Sequence, residues 1–337
     1  MAEAVQALVE SLIRLEEIDK NLFRGSQLWT PDGARGVFGG QIIAQSLFAA
    51  ARTRTESEKA MAPHSLHCYF LLPGSSESPA LYTVRRVRDG RSFATRLVTT
   101  TQRGRPIFSS MVSFHSTREP TTLEHADAMP DAPDPDTLPN ASERLASVLA
   151  DPRLPEHLRP LVEHMGAQQT PIDFRYCDPV DVFSPEAMLP TRRTWFRAAQ
   201  PLPGADSGDL AGPEPGCDGA VLHQCVIAYA SDQPLLATAL LPHRITPMNT
   251  GMMASLDHSL WWHAPARADE WLLFQTSAPR LVSGRALCFG HVWRRDGVLV
   301  ASTAQEGLIR TKLLRRVAGP ASARGDRAAD DDRASRL

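Results

Sequence analysis

The chain has 337 residues, 42% apolar and 22% charged, enough for two globular domains of ordinary size. Its formal net charge of -2 gives no reason to expect nucleic acid as a partner, and no apolar run approaches the roughly 20 residues that span a bilayer. The five cysteines (Cys68, Cys177, Cys217, Cys225 and Cys288) form no CxxC pair, so neither a disulfide framework nor a zinc site is expected, and a reducing compartment fits.

In chain order, Val5, Leu8, Val9, Leu12, Ile13 and Leu15 give residues 3–16 a helical stripe. The acids in this segment argue against a signal peptide. A strand is expected over 22–24. Residues 35–51, RGVFGGQIIAQSLFAAA, open on glycines and continue as a small-residue helix buried on most sides. Strands follow at 64–72, 80–89, 92–102 and 106–115, each rich in β-formers and bounded by Gly or Pro. Residues 102–105, QRGR, read as a hairpin turn. Prolines then crowd residues 116–190, an ordered but irregular linker with only short helices, such as one over 141–150. Residues 316–337 are mostly Ala, Arg and Asp and are expected to be disordered.

The stretch 222–243, LHQCVIAYASDQPLLATALLPH, is almost wholly apolar yet holds one acid, Asp232. Burying a lone charge costs several kcal/mol, roughly, unless it is paired or put to work. Asp232 is therefore a cap, an ion-pair partner or a catalyst. Locally, Ser231-Asp232-Gln233-Pro234 also reads as an N-cap with proline in the first helical turn.

The segment after the linker repeats the first half. Residues 22–27 match 195–200, 64–66 match 258–260, and 104–110 match 296–302, in the same order. The expected class is α+β: two helix-in-antiparallel-sheet units fused in one chain. Their spans are 8–115 and 191–315, with the linker at 116–190 and the tail at 316–337. Each half leaves a helix face and a sheet edge in need of a neighbour, so the halves are expected to pack on each other. Exposed edges also raise the expectation of a homo-oligomer.

No GxSxG elbow, HExxH, Walker loop or post-strand GxGxxG is present, so any hydrolysis is expected to use activated water directly. Six segments carry a family likeness: Phe23-Arg24-Gly25, Val37-Phe38-Gly39-Gly40-Gln41, His64-Ser65-Leu66-His67-Cys68-Tyr69-Phe70, Tyr229-Ala230-Ser231-Asp232, Leu256-Asp257-His258-Ser259-Leu260-Trp261-Trp262-His263 and Ala304-Gln305-Glu306-Gly307. Over residues 8–315 the chain resembles the acyl-CoA thioesterase II family of bacterial and peroxisomal enzymes. The resemblance implies a double hotdog fold and hydrolysis of fatty acyl-CoA to free acid and CoA, with no cofactor and no metal. It further implies a water-activating trio of Asp232, Ser255 and Gln305. Ser255 stands where some bacterial members carry threonine, and supplies the same hydroxyl.

In that chemistry Asp232 accepts the water proton while Ser255 and Gln305 aim the water at the thioester carbon. The Gly39-Gly40-Gln41 backbone, at a helix N-terminus, is the expected source of oxyanion N–H donors, although the glycine pair reads equally as a close helix–sheet contact. Taken singly, Ser255 is a cap or strand hydroxyl and Gln305 a solvated edge residue; only the constellation raises them. His64 and His258 occupy equivalent repeat positions and are expected to share a fold role, such as a hydrogen bond to backbone. Ser113 stands where Gln305 stands in the second half, so one reactive centre per chain is expected. Two alternatives remain at this point: a hotdog enoyl-thioester hydratase or dehydratase, and a non-catalytic acyl-CoA-binding protein. Ser335-Arg336-Leu337 resembles a Ser-Lys-Leu peroxisomal address. It implies the peroxisome matrix and its import receptor for a eukaryotic source, and the cytoplasm otherwise.

Overall fold

The computed structural model describes residues 13–58, 60–116, 123–167, 171–184, 186–202, 219–245 and 250–311. Most of the expected N-terminal helix, Cys217, and the tail with its C-terminal tripeptide lie outside them.

Period-two burial sets the strands. In the first half these are β1 (Glu16–Asp19), β2 (Leu22–Gly25), β3 (Met61–Phe70), β4 (Ala80–Asp89), β5 (Phe93–Gln102) and β6 (Arg105–Ser116). Along β5 the inward positions alternate strictly with half-buried ones, as a sheet with one covered face requires. Between β5 and β6, Arg103 (φ 50°) and Gly104 (φ 74°) make the two-residue left-handed turn that matches strand twist. The helix α1 (Gly39–Arg52) fills the concave side; all of its residues from Gly40 to Ala51 are buried.

The proline-dense stretch is more regular than its composition indicates. Helix α2 (Ala141–Ala150) starts at a capping box in which Asn140 and Glu143 satisfy each other's backbone N–H groups. Helix α3 (Arg159–Ala167) follows, and then β7 (Ile172–Tyr176), which joins the sheet as an edge strand.

The second half comprises β8 (Thr191–Ala198), α4 (Gly219–Leu235), β9 (Thr250–Ser255), β10 (Asp257–Trp262), β11 (Leu272–Val282), β12 (Arg285–Arg294) and β13 (Leu299–Thr311). Helix α4 is apolar almost all round and buried to match, which marks a core helix rather than a surface one. Pro234 sits in its last turn. It lacks the N–H that would continue the helix, and the chain goes on as 3₁₀ turns over Leu236–His243.

Both halves belong to one 13-stranded antiparallel sheet. Reading outward from its middle, the first half runs β3-β6-β5-β4-β2-β1 and the second runs β10-β13-β12-β11-β8-β7, with β9 also on β13. The two orders correspond strand for strand, so the sequence repeat is a structural repeat. The halves meet where β3 pairs with β10, His258 lying opposite Cys68. On the concave side α1 packs on α4. A Cβ at Gly40 would lie 2.4 Å from the Tyr229 carbonyl oxygen, and the Phe38 and Tyr229 rings meet edge-on at 4.9 Å. The glycine pair therefore has a packing reason: Gly40 makes a helix-on-helix contact, and Gly39, where a Cβ would lie 2.9 Å from the Phe70 ring of β3, makes the helix-on-sheet contact expected from sequence. The architecture is the α+β double hotdog. Among the described residues no helix is long and apolar enough to cross a membrane.

Candidate active site

Asp232 lies inside α4, three residues before its end, and not at a helix start. The N-cap reading of Ser231-Asp232-Gln233-Pro234 is therefore wrong: the proline marks where the helix tightens, not where it begins. Asp232 is 8% exposed.

Two other elements bring their side chains to it. Gln305 projects inward from β13, which pairs with β12 at Cys288 and with β9 through Gly307 opposite Ser255. Gln305 and Gly307 share a face of the strand, and Ser255 on β9 thus sits diagonally beside the Gln305 amide. Gln305 Nε2 donates to Asp232 Oδ1 at 3.0 Å and to Ser255 Oγ at 2.5 Å. Ser255 Oγ donates to Asp232 Oδ1 at 3.3 Å. All three residues expected to form the trio stand together. Both bonds to the carboxylate fall on Oδ1. Oδ2 points toward the amino end of α1, where a Cβ added at Gly39 would lie 2.7 Å from it.

That helix end has no side-chain cap, because Phe38 offers no acceptor. The three backbone groups expected there divide. The Gln41 N–H turns back to the Phe38 carbonyl, and the Gln41 side chain fixes the preceding loop through Trp29 N and Gln27 O. Of the three residues, Gly39 is the one at which an added Cβ would meet the carboxylate, whereas at Gly40 it would meet the Tyr229 carbonyl and the Phe38 ring.

Two other side chains with nucleophilic atoms stand near Asp232 and are held protonated. Burial, reinforced by the Asp232 charge, pushes the Cys68 thiol and the Tyr229 phenol up, so neither is ionised at neutral pH. Asp257 accepts the Glu306 N–H at 2.7 Å and fastens the junction of β9 and β10.

His258 is a residue whose part the sequence did not disclose. It is fully buried, and it bonds side chains rather than backbone: Nδ1 to Gln305 Oε1 at 3.1 Å, and Nε2 to Ser231 Oγ at 3.0 Å and Thr303 Oγ1 at 3.1 Å. The alternation of β10, which turns His258, Leu260 and Trp262 inward, was the available signal. In the first half His64 Nε2 meets Ser113 Oγ at 2.8 Å among half-buried residues, but the register sets Ser113 level with Ala304 and Phe114 level with Gln305, so Ser113 is not the counterpart of Gln305 expected from the sequence repeat. Trp262 and Phe274 pack in the core, Trp271 joins Trp195 and Leu273 in a smaller cluster, and Trp261 faces outward.

Comparison with known proteins identifies the family. A profile of the acyl-CoA thioesterase family matches residues 187–308, and one of the acyl-CoA thioesterase N-terminal domain matches residues 26–115. Acyl-coenzyme A thioesterase 8 of Mus musculus is 40% identical over 305 residues, covering 90% of this chain and 89% of the mouse protein. Acyl-CoA thioesterase 2 of Haemophilus influenzae is 33% identical over 311 residues, covering 92% of this chain and 99% of its own. Among solved structures, the acyl-CoA thioesterase II TesB2 of Mycobacterium marinum superposes with a TM-score of 0.66 at 35% identity, over 90% of this chain and 97% of that one. With this identity sustained over nine-tenths of its length, the chain belongs to the acyl-CoA thioesterase family.

Proposed function

We propose that the chain hydrolyses fatty acyl-CoA to free fatty acid and CoA at a single centre, where Asp232, Ser255 and Gln305 activate one water. The carrying observation is that three polar side chains from a helix and two strands, up to 73 residues apart in sequence, converge at hydrogen-bond distance inside an apolar core. A buried acid with two polar partners and no cation has a better account in catalysis than in stability.

The roles follow from the bonds. Both N–H groups of the Gln305 amide are committed, one to Asp232 and one to Ser255. Gln305 therefore acts as the clamp that holds acid and hydroxyl in register, and the water is held by the other two. Oδ2 of Asp232 takes a proton from water, the hydroxide oxygen attacks the thioester carbon, and the carbonyl becomes an oxyanion. The Gly39 and Gly40 N–H groups at the start of α1 stabilise that charge. The carbon–sulfur bond then breaks, and the proton held by Asp232 passes to the CoA sulfur. Family membership favours hydrolysis over the hydratase and binding-module alternatives.

The test is Asp232→Asn, assayed by release of free CoA with a thiol reagent. Turnover is expected to fall by about 10³-fold with KM little changed. Undiminished turnover in the variant would refute the trio, and a parent chain that binds acyl-CoA without releasing CoA would refute the hydrolase.

Two further parts of the proposal concern partners and place. The outer face of the sheet at the seam carries a cleft of about 490 Å³ lined by His67, Tyr69, Met111, Ser259, Leu287 and Ala304, with Tyr69 63% exposed. This apolar face supports a homo-oligomer, which light scattering of the purified chain tests. Where Leu337 ends the chain of a eukaryotic protein, Ser335-Arg336-Leu337 supports import into the peroxisome, and deleting the tripeptide is expected to leave the chain in the cytosol.

A further inference from the structure

We propose that His258 is a positioning residue that fixes which way round the Gln305 amide sits; the inference rests on the trio described above. A glutamine amide has two ends of similar shape and opposite polarity, and a half-turn about its last bond exchanges them. In the orientation observed, Nε2 faces the Asp232 carboxylate at 3.0 Å and the Ser255 hydroxyl at 2.5 Å. Reversed, the amide oxygen would face a carboxylate oxygen with no proton between them, and the clamp would become a repulsion.

The other end of the amide decides the matter. Oε1 lies 3.1 Å from His258 Nδ1 and has no proton to give, so Nδ1 must be the donor. Burial holds the imidazole below its usual pKa, against the opposing pull of Asp232, the Gln305 bond and Asp257. A neutral ring has one N–H, and the Gln305 oxygen places it on Nδ1. Nε2 is then an acceptor between the hydroxyls of Ser231 at 3.0 Å and Thr303 at 3.1 Å; these also reach the Ala228 and Ser259 carbonyls at 2.9 and 2.8 Å, so one of the two turns its single proton from the carbonyl to Nε2. Ser231 precedes Asp232 on α4, and Thr303 lies two residues before Gln305 on β13. One ring therefore ties the carrier of the acid to the carrier of the amide. Its main chain is tied in turn, since the Cys68 thiol donates to the His258 carbonyl at 3.2 Å.

The first half supplies the competing account. His64, which the sequence repeat aligns with His258, also bonds a side chain, the Ser113 hydroxyl, so the imidazole could be a fold contact common to both halves. The difference lies in the partner. A hydroxyl has no wrong way round, whereas an amide does.

The experiment compares His258→Asn, His258→Gln, Gln305→Ala and the double variant His258→Gln/Gln305→Ala. An Asn amide nitrogen falls near the position of Nδ1, and a Gln amide nitrogen near that of Nε2. His258→Gln is expected to lower kcat about 100-fold with KM unchanged, because His258 does not meet substrate. His258→Asn restores most of that loss. In the Gln305→Ala background, His258→Gln lowers kcat no further, since its effect passes through the missing amide. Independent losses that multiply, or equal impairment of the Asn and Gln variants at equal melting temperature, would overturn the proposal. If His258→Gln does not fold, nitrogen NMR of the parent protein decides: an Nδ1–H tautomer at His258 supports the proposal and an Nε2–H tautomer overturns it. Parental kcat in Gln305→Ala would instead refute the trio, whereas an inactive Gln305→Ala beside a fully active His258→Gln refutes only the part given to His258.

Discussion

Ser255 meets Asp232 across 3.3 Å, the longest contact in the trio, and this is the bond an entering water replaces most cheaply. The hydroxyl, not the rest of the side chain, is what the site requires. Ser255→Thr is expected to keep kcat within about tenfold of the parent, and Ser255→Ala to lower it by about 100-fold, both read by CoA release. A second buried polar group works for stability instead. Arg96 is fully buried on β5 and bonds Glu58 at 2.8 Å and Asp89 at 2.7 Å. Burial raises the Glu58 pKa, but the bonds from Thr55 and Arg96 outweigh it and the net shift is downward. A depressed carboxylate contributes stability that is present above its unfolded pKa and is lost as pH falls through the folded value. The melting temperature should therefore fall as pH drops below the ordinary carboxylate range. Glu58→Gln should flatten that fall and remove about 2 kcal/mol at neutral pH, as denaturant melts at several pH values would show.

At the level of elements, the two glycines that open α1 separate activity from packing. A Cβ at Gly40 meets a backbone oxygen of α4 at 2.4 Å, and backbone cannot swing aside. A Cβ at Gly39 meets the end of the Asp232 side chain at 2.7 Å and the Phe70 ring at 2.9 Å, and these can move. Gly40→Ala is expected to cost about 1–3 kcal/mol of stability. Gly39→Ala should melt closer to the parent yet lose most of its turnover, because the carboxylate is pushed off line. Melting curves and kcat for the pair check both. Much of this level was legible in the sequence. Residues 80–89 and 141–150 were read to their observed ends, since alternation in one and the Asn140–Glu143 box in the other are local signals. The edge strands β1 and β7 were not, being four and five residues long and stabilised by a neighbour rather than by their own pattern. Asp232 misled locally because proline two residues on marks a helix start far more often than a last turn. His258 was recognised as a repeat position but not for its partners, which depend on how β10, β13 and α4 register against one another.

Across the whole molecule, the three residues of the proposed trio all lie in the second half, yet the first half completes their surroundings. Gly39 and Phe70 come from the first half, and β3 covers the edge of β10. An isolated fragment spanning residues 171–311 is therefore expected to release no CoA even though it holds Asp232, Ser255 and Gln305, and to self-associate through the bared β10. Size-exclusion chromatography and the thiol assay on that fragment, beside the full chain, would show it. The pairing of β3 with β10 has a consequence beyond catalysis. It pairs the inner edge strands of both repeats with each other, and the described sheet path then finishes at β1, with sequence EEID, and at β7, with sequence IDFRY. Short, acid-bearing rims make poor templates for a foreign strand. Joining the repeats in one polypeptide thus gives this protein resistance to amyloid-like stacking while it is folded, a protection that each repeat alone would lack.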